Sequence, residues 1–226
     1  ALALLPSRNR DTLLHVKIKA VLKSLGSLAW KGAKTLDRAI NDQPSSWKRF
    51  EGSDHVLVFV HGLLSEGDRA WSGRNADWPQ LCAEDDRLTS FDIFQAEWYT
   101  SLLATEFDLV VSAEALLRDL NRFVESRRPV IESQRIVFIC HSMGGLVVRQ
   151  MLVSHPQSFA NHRVSVLSFG TPALGVEIVN RLEGLISTVG HRQAAELKLD
   201  NPRLEALHND FAALIKETHP RIDGAE

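Results

Sequence analysis

The chain has 226 residues, enough for one domain of ordinary size. Its apolar fraction of 44% and charged fraction of 24% allow a buried core and exclude a disordered chain. A net charge of −2 argues against nucleic-acid partners, two cysteines (Cys82 and Cys140) outside metal-ligand spacing argue against a disulfide-stapled domain or a metal centre, and no apolar run reaches membrane-spanning length.

The chain opens on Ala1 rather than Met and is expected to be an excerpt of a longer protein. Residues 1–43 are read as a basic amphipathic helical segment. Within residues 1–42 eight Lys/Arg stand against three Asp, a local charge of +5 that leaves −7 for the remainder. Leu14, Ile18, Val21, Leu22, Leu25, Leu28 and Ala29 share one face of a 3.6-residue period, with Lys19 and Lys23 opposite. Such a helix either packs on its own domain or lies, through residues 11–40, on an anionic membrane surface. The expected location is cytoplasmic, peripheral to a membrane on the second reading.

Residues 44–226 are read as one α/β domain. Asn41–Asp54 is polar, contains Pro44 and reads as a linker. His55–Val60 is a short, nearly continuous apolar run, which suits a strand buried on both faces. Residues 62–76 form a loop. Trp78–Ala83 reads as a short helix with Pro79 in its first turn. Phe91–Tyr99 reads as a strand. Glu106–Arg127 has a helical pattern, with Ala113, Leu116, Leu117, Leu120 and Val124 on one side. Arg135–Cys140 is a second buried-strand run, Met143–His155 a helix ended by Pro156, and Arg163–Phe169 a further strand. After Gly175 no clear buried strand follows. Residues 176–226 read as helical or lid-like, with Pro220–Glu226 as the approach to a next strand. The alternation predicts a mostly parallel sheet with helices on both faces. Chemistry in such a sheet belongs at the carboxyl ends of the strands.

Three motifs fall at three such ends. Cys140-His-Ser142-Met-Gly144-Gly145 joins a buried strand to a helix. It is a G-x-S-x-G nucleophile elbow with cysteine in the first glycine place. A serine on so tight a turn needs small neighbours two residues away on either side, which Cys140 and Gly144 supply. Gly145 allows close helix–strand packing. The Ser142 hydroxyl is expected at the amino end of the helix, where the Met143 N–H can receive a developing oxyanion. The competing reading is a βα turn whose serine only caps the helix. His61-Gly62-Leu63-Leu64 ends the first strand. Gly62 lets the backbone turn, so that the Leu63 N–H becomes the second oxyanion donor. The His61 imidazole is expected to hold this loop rather than act as base, and His141 has a packing role. Phe169-Gly-Thr-Pro-Ala-Leu-Gly175 is a sharp strand exit, either a pocket wall or an ordinary turn.

In these residues the sequence resembles the α/β-hydrolase superfamily, in the lipase-like branch of the GPI inositol-deacylases and the serine-active-site-containing proteins. The stretches that carry the resemblance are VLVFVHGLL (56–64), IVFICHSMGGLVVRQML (136–152) and LSFGTPALG (167–175), and with the intervening element order they cover about residues 55–175. It implies an α/β-hydrolase fold and hydrolysis of carboxylic esters, often of lipids, through an acyl-serine. Cys140 departs from the usual glycine, and Ala173 stands where many members have histidine.

The acyl-transfer mechanism needs a histidine base and a carboxylate to orient it, in the chain order Ser, acid, His. His155, His162, His191, His208 and His219 follow Ser142, but none lies on a recognisable strand-end loop. His191, His208 and His219 are expected on exposed polar surface. The base and acid are therefore expected beyond residue 226, in a C-terminally truncated domain. The reading is a serine esterase that uses no metal or organic cofactor. A catalytically incomplete scaffold for binding or regulation is the alternative, and a fusion to a further C-terminal domain is a third possibility.

Overall fold

A computed structural model describes residues 45–62, 71–73, 76–97, 109–173, 201–219 and 221–225. All lie in the unit Asn41–Glu226. The basic segment 1–43, Leu63 and residues 176–200 lie outside the described residues.

Six strands form one sheet in the order β1-β3-β2-β4-β5-β6. They are β1 (Ser46–Arg49), β2 (His55–Val60), β3 (Asp92–Ala96), β4 (Arg135–His141), β5 (Arg163–Phe169) and β6 (Ile222–Ala225). Every pairing is parallel except β1 with β3. The apolar run Val56–Val60 occupies the centre because it must be covered on both faces, and it is buried throughout. The described helices are α1 (Trp78–Glu84), α2 (Leu109–Leu120), α3 (Met143–Ser154) and α4 (Pro202–Thr218).

Side chains alternate across each strand, so the sheet has two different faces. Val56, Val58, Val60, Phe138, Cys140, Val164 and Val166 point to one face, under α2, α3 and α4. Leu57, Phe59, Ile93, Val137 and Ile139 point to the other, with Trp71 and with Cys82 and Ala83 of α1. Helices thus cover both faces of a mostly parallel sheet, as the alternation of elements predicts.

Three sequence expectations change. The linker Asn41–Asp54 contains β1, an antiparallel edge strand with a register irregularity between Trp47 and Arg49. Trp47 anchors it, buried edge-on against Phe50 and Phe94 with ring centroids 4.8 Å away in each pair. The helix read through Arg127 ends at Leu120. Glu125 and Ser126 take positive φ values of 52° and 60° and turn the chain back so that Val124 and Arg127 pair, as a two-residue hairpin turn requires. The C-terminal stretch is not helical throughout: after α4, β6 adds a parallel strand beside β5, with Ile222 buried against Val164. No helix among the described residues is long and apolar enough to cross a membrane.

β2 leads toward β3 on one side of the sheet, whereas β4 leads toward β5 on the other. The chain's winding reverses between β2 and β4. In an open α/β sheet that reversal leaves a crevice at the strands' carboxyl ends. Gly62 and Ser142 follow those two ends.

Candidate active site

Ser142 connects β4 to α3 with φ 53° and ψ −126°, outside the left-handed well that non-glycine residues occasionally use. Such a backbone costs about 1–3 kcal/mol and survives only where its surroundings hold it. Here the Ser142 N–H donates to the Phe169 carbonyl of β5 at 2.9 Å, and the Gly145 N–H donates to the Ser142 carbonyl at 3.2 Å. The serine side chain makes no capping bond to α3, so the capping reading of this turn does not describe it. The N–H groups of Met143 and Gly144, in the first turn of α3, have no acceptor within the helix.

The expected small residues have identifiable contacts. A β-carbon on Gly62 would stand 2.8 Å from Ser142 Cβ and 3.3 Å from its Oγ. The exit of β2 therefore passes directly against the serine, and only glycine fits. A β-carbon on Gly144 would overlap the carbonyl oxygens of Val60 and His61, so Gly144 lets the start of α3 settle onto the same exit. Gly145 packs on the Thr171 side chain, in the turn that leaves β5. The three strand ends predicted from sequence thus meet around one serine. Leu63, the expected second oxyanion donor, lies outside the described residues.

His61 is 1% exposed. Its Nδ1 lies 3.0 Å from the Gly62 carbonyl oxygen, and its Nε2 lies 3.1 Å from Glu97 Oε2. Both ring nitrogens thus face oxygens of the loop and of the β3 exit. Glu97 is itself held: its N–H donates to Ser45 Oγ at 2.7 Å, and that hydroxyl donates to Asp119 Oδ2 at 2.5 Å. Asp119 also pairs with Arg122, Nε to Oδ1 at 2.5 Å. Burial raises the Asp119 carboxyl above its ordinary range, against the lowering effect of the Ser45 bond and the Arg122 charge. Sequence reasoning found His61 but missed Glu97, Ser45 and Asp119. Their partnership crosses elements distant in the chain, and no local spacing marks it.

The other described histidines stand elsewhere. His55 opens β2 and His162 immediately precedes β5, at the opposite edge of the sheet; His162 Nε2 lies 2.7 Å from the Ile131 carbonyl oxygen. His155 ends α3, away from its serine end, and its Nε2 lies 2.6 Å from Glu114 Oε1. His219 ends α4, ahead of β6. The exposed ring of His141 packs edge-on near Trp71, with centroids 6.1 Å apart. His208, exposed on α4, lines a cavity of about 160 Å³ with Arg149, Ser168, Phe211 and Ala225. Ser142 does not line that cavity. The cavity lies under α3 and α4, where the buried Arg149 guanidinium sits 5.2 Å from the centre of the Phe211 ring. Cys140 is fully buried, and burial pushes its thiol far up, which keeps it neutral and inert. Among the described residues no cluster of His, Cys, Asp or Glu is arranged to hold a metal ion.

A family model described as "Putative serine esterase (DUF676)" matches residues 51–195, more than half of the chain and all three strand-end motifs. Protein SERAC1 of Homo sapiens and of Bos taurus are each 24% identical to the chain over 198 residues. The alignments cover 74% of this chain but 29% of each relative, so the chain spans about three tenths of the length of these curated proteins. Among solved structures, phospholipase PlaB from Legionella pneumophila, in complex with thio-NAD, superposes with a TM-score of 0.54 at 14% identity, over 69% of this chain and 33% of that one. That likeness is one of fold.

Proposed function

The chain belongs to the family described as "Putative serine esterase (DUF676)", and from this premise we propose that it cleaves carboxylic esters, lipid esters in particular, through an acyl-serine intermediate. The observation that carries the reading is Ser142. A non-glycine residue holds a strained backbone at the switch point of the sheet, with its side chain uncommitted to the helix and with Gly62 pressed against it. A residue that only closed a turn would gain nothing from that strain.

In this reading Ser142 Oγ attacks the ester carbonyl and forms a tetrahedral intermediate. The N–H groups of Met143 and Leu63 receive its oxyanion. The intermediate collapses, the alcohol leaves with a proton, and water then releases the acid from the serine. These steps use no metal or organic cofactor. His61, held between Gly62 and Glu97, acts as a positioning residue for the loop. The Ser142 proton must pass to a histidine base oriented by a carboxylate, in the chain order Ser, acid, His.

Turnover of p-nitrophenyl butyrate by the natural full-length protein tests the reading. Ser142→Ala is expected to lower kcat by about 10³-fold or more, because the nucleophile cannot be replaced. A variant within tenfold of wild type would overturn it.

A further inference from the structure

Four large apolar side chains on α1 and β5 are exposed to water. Trp78 is 49% exposed, Leu81 53%, Leu167 38% and Phe169 45%. Burial of large apolar side chains is ordinarily favourable, so exposed aromatics grouped together call for an occupant. These are grouped. The rings of Trp78 and Phe169 meet edge-to-face with centroids 5.9 Å apart. Leu81 lies one turn beyond Trp78 on α1, and Leu167 precedes Phe169 by two residues on the same face of β5.

Their relation to the nucleophile is fixed by backbone. The carbonyl of Phe169 accepts the Ser142 N–H at 2.9 Å, and Phe169 is in register with His141. The apolar surface therefore begins at the residue bonded to the serine. On the same face of the sheet Trp71 and Phe59 are buried, with ring centroids 5.0 Å apart. The 160 Å³ cavity cannot serve instead, because it lies across the sheet: its strand residues Val166 and Ser168 alternate with Leu167 and Phe169.

We propose that Trp78 and Phe169, flanked by Leu81 and Leu167, form the wall that binds the apolar acyl chain of the ester, and so set its preferred length. The proposal rests on the esterase reading of Ser142. A chain attached to a carbonyl at Ser142 Oγ meets Phe169 first, then Trp78 and Leu81. It covers the exposed apolar surface as it binds. An acyl group of two or three carbons ends before it gains this contact.

Binding of methyl ketones, measured by calorimetry, tests the wall apart from the chemistry. With 2-hexanone and 2-decanone as probes, wild type and Ser142→Ala are both expected to bind the longer ketone at least about tenfold tighter, since each methylene is worth up to about fourfold when fully covered. In Phe169→Ala and in Trp78→Ala the preference is expected to fall to about twofold. These side chains are half in water already, so the variants keep their fold, which an unchanged melting curve verifies. Phe123→Ala, which removes a 70% exposed ring elsewhere, is expected to keep the wild-type preference. No length preference in wild type, or an unchanged preference in both wall variants, overturns the proposal. So does loss of binding to phosphatidylglycerol vesicles in Phe169→Ala and Trp78→Ala with the ketone preference intact, which would assign the patch to a membrane. Continued ester turnover by Ser142→Ala, in contrast, would overturn the esterase reading and leave the ketone result standing.

Discussion

Ser142 is paid for in backbone strain, and that strain makes a prediction separate from activity. Ser142→Gly removes the β-carbon that opposes φ 53° and is expected to stabilise the fold by about 1 kcal/mol in chemical denaturation. Ser142→Ala keeps the β-carbon and is expected to leave stability within about 0.5 kcal/mol of wild type. If glycine stabilised no more than alanine, the residue would not be strained. At this scale the sequence was informative. The spacing of Ser142, Gly144 and Gly62 relative to strand ends is local, and each residue type answers a local demand. The demands themselves were visible only in part. Gly144 was read as a small neighbour of the serine, whereas its sharper constraint is the backbone of Val60 and His61 on another strand. Glu97 carried no signal at all, because its role exists only when β2 and β3 lie side by side.

Among the elements, α2 carries a buried carboxyl in its last turn. Asp119 sits in its last turn and bonds Ser45, ahead of β1. Its carboxyl is raised above 3.8, chiefly by burial. Between the ordinary and the raised value the folded chain holds a proton that the unfolded chain has released. This group's contribution to stability therefore falls as pH rises through that window. Asp119→Asn cannot titrate, so the melting temperature of the variant minus that of wild type is expected to increase from pH 3.5 to pH 6. A constant difference would refute the assignment. The elements also show where periodicity stops informing. His55–Val60 was legible to the residue, because a buried parallel strand has a continuous apolar signature. Helix α2 was overextended because Val124 keeps the helical spacing even though Glu125 and Ser126 turn back. β1 and β6 were obscured for a different reason. Each is an edge strand of four residues, too short and too polar to stand out from a linker.

Across the molecule, the sheet order places the β2 and β4 exits side by side, and one polar chain braces that arrangement from behind. It runs from Asp119 on α2 through Ser45 and Glu97 to His61 and the Gly62 carbonyl. The chain ties three elements to the loop that faces the serine. Removing its carboxylate is expected to loosen the loop without touching the reacting atoms. Glu97→Ala should lower kcat on p-nitrophenyl butyrate about tenfold with KM little changed, and Glu97→Gln should recover part of the loss, since misplacement of about 1 Å is enough to slow such reactions strongly. Equal kcat for wild type and Glu97→Ala would mean that the loop is held by other means. The alternation of strands and helices made the parallel sheet legible. The reversal between β2 and β4, and with it the meeting of the three motifs, follows from strand order, which no residue pattern specifies.

The central claim is that Ser142 is an activated nucleophile. Covalent labelling of the natural full-length protein with a fluorophosphonate, followed by peptide mapping, tests it most directly. The predicted result is one adduct, on Ser142, absent from Ser142→Ala. A folded wild-type protein that takes no label, or takes it on another residue, would contradict the account.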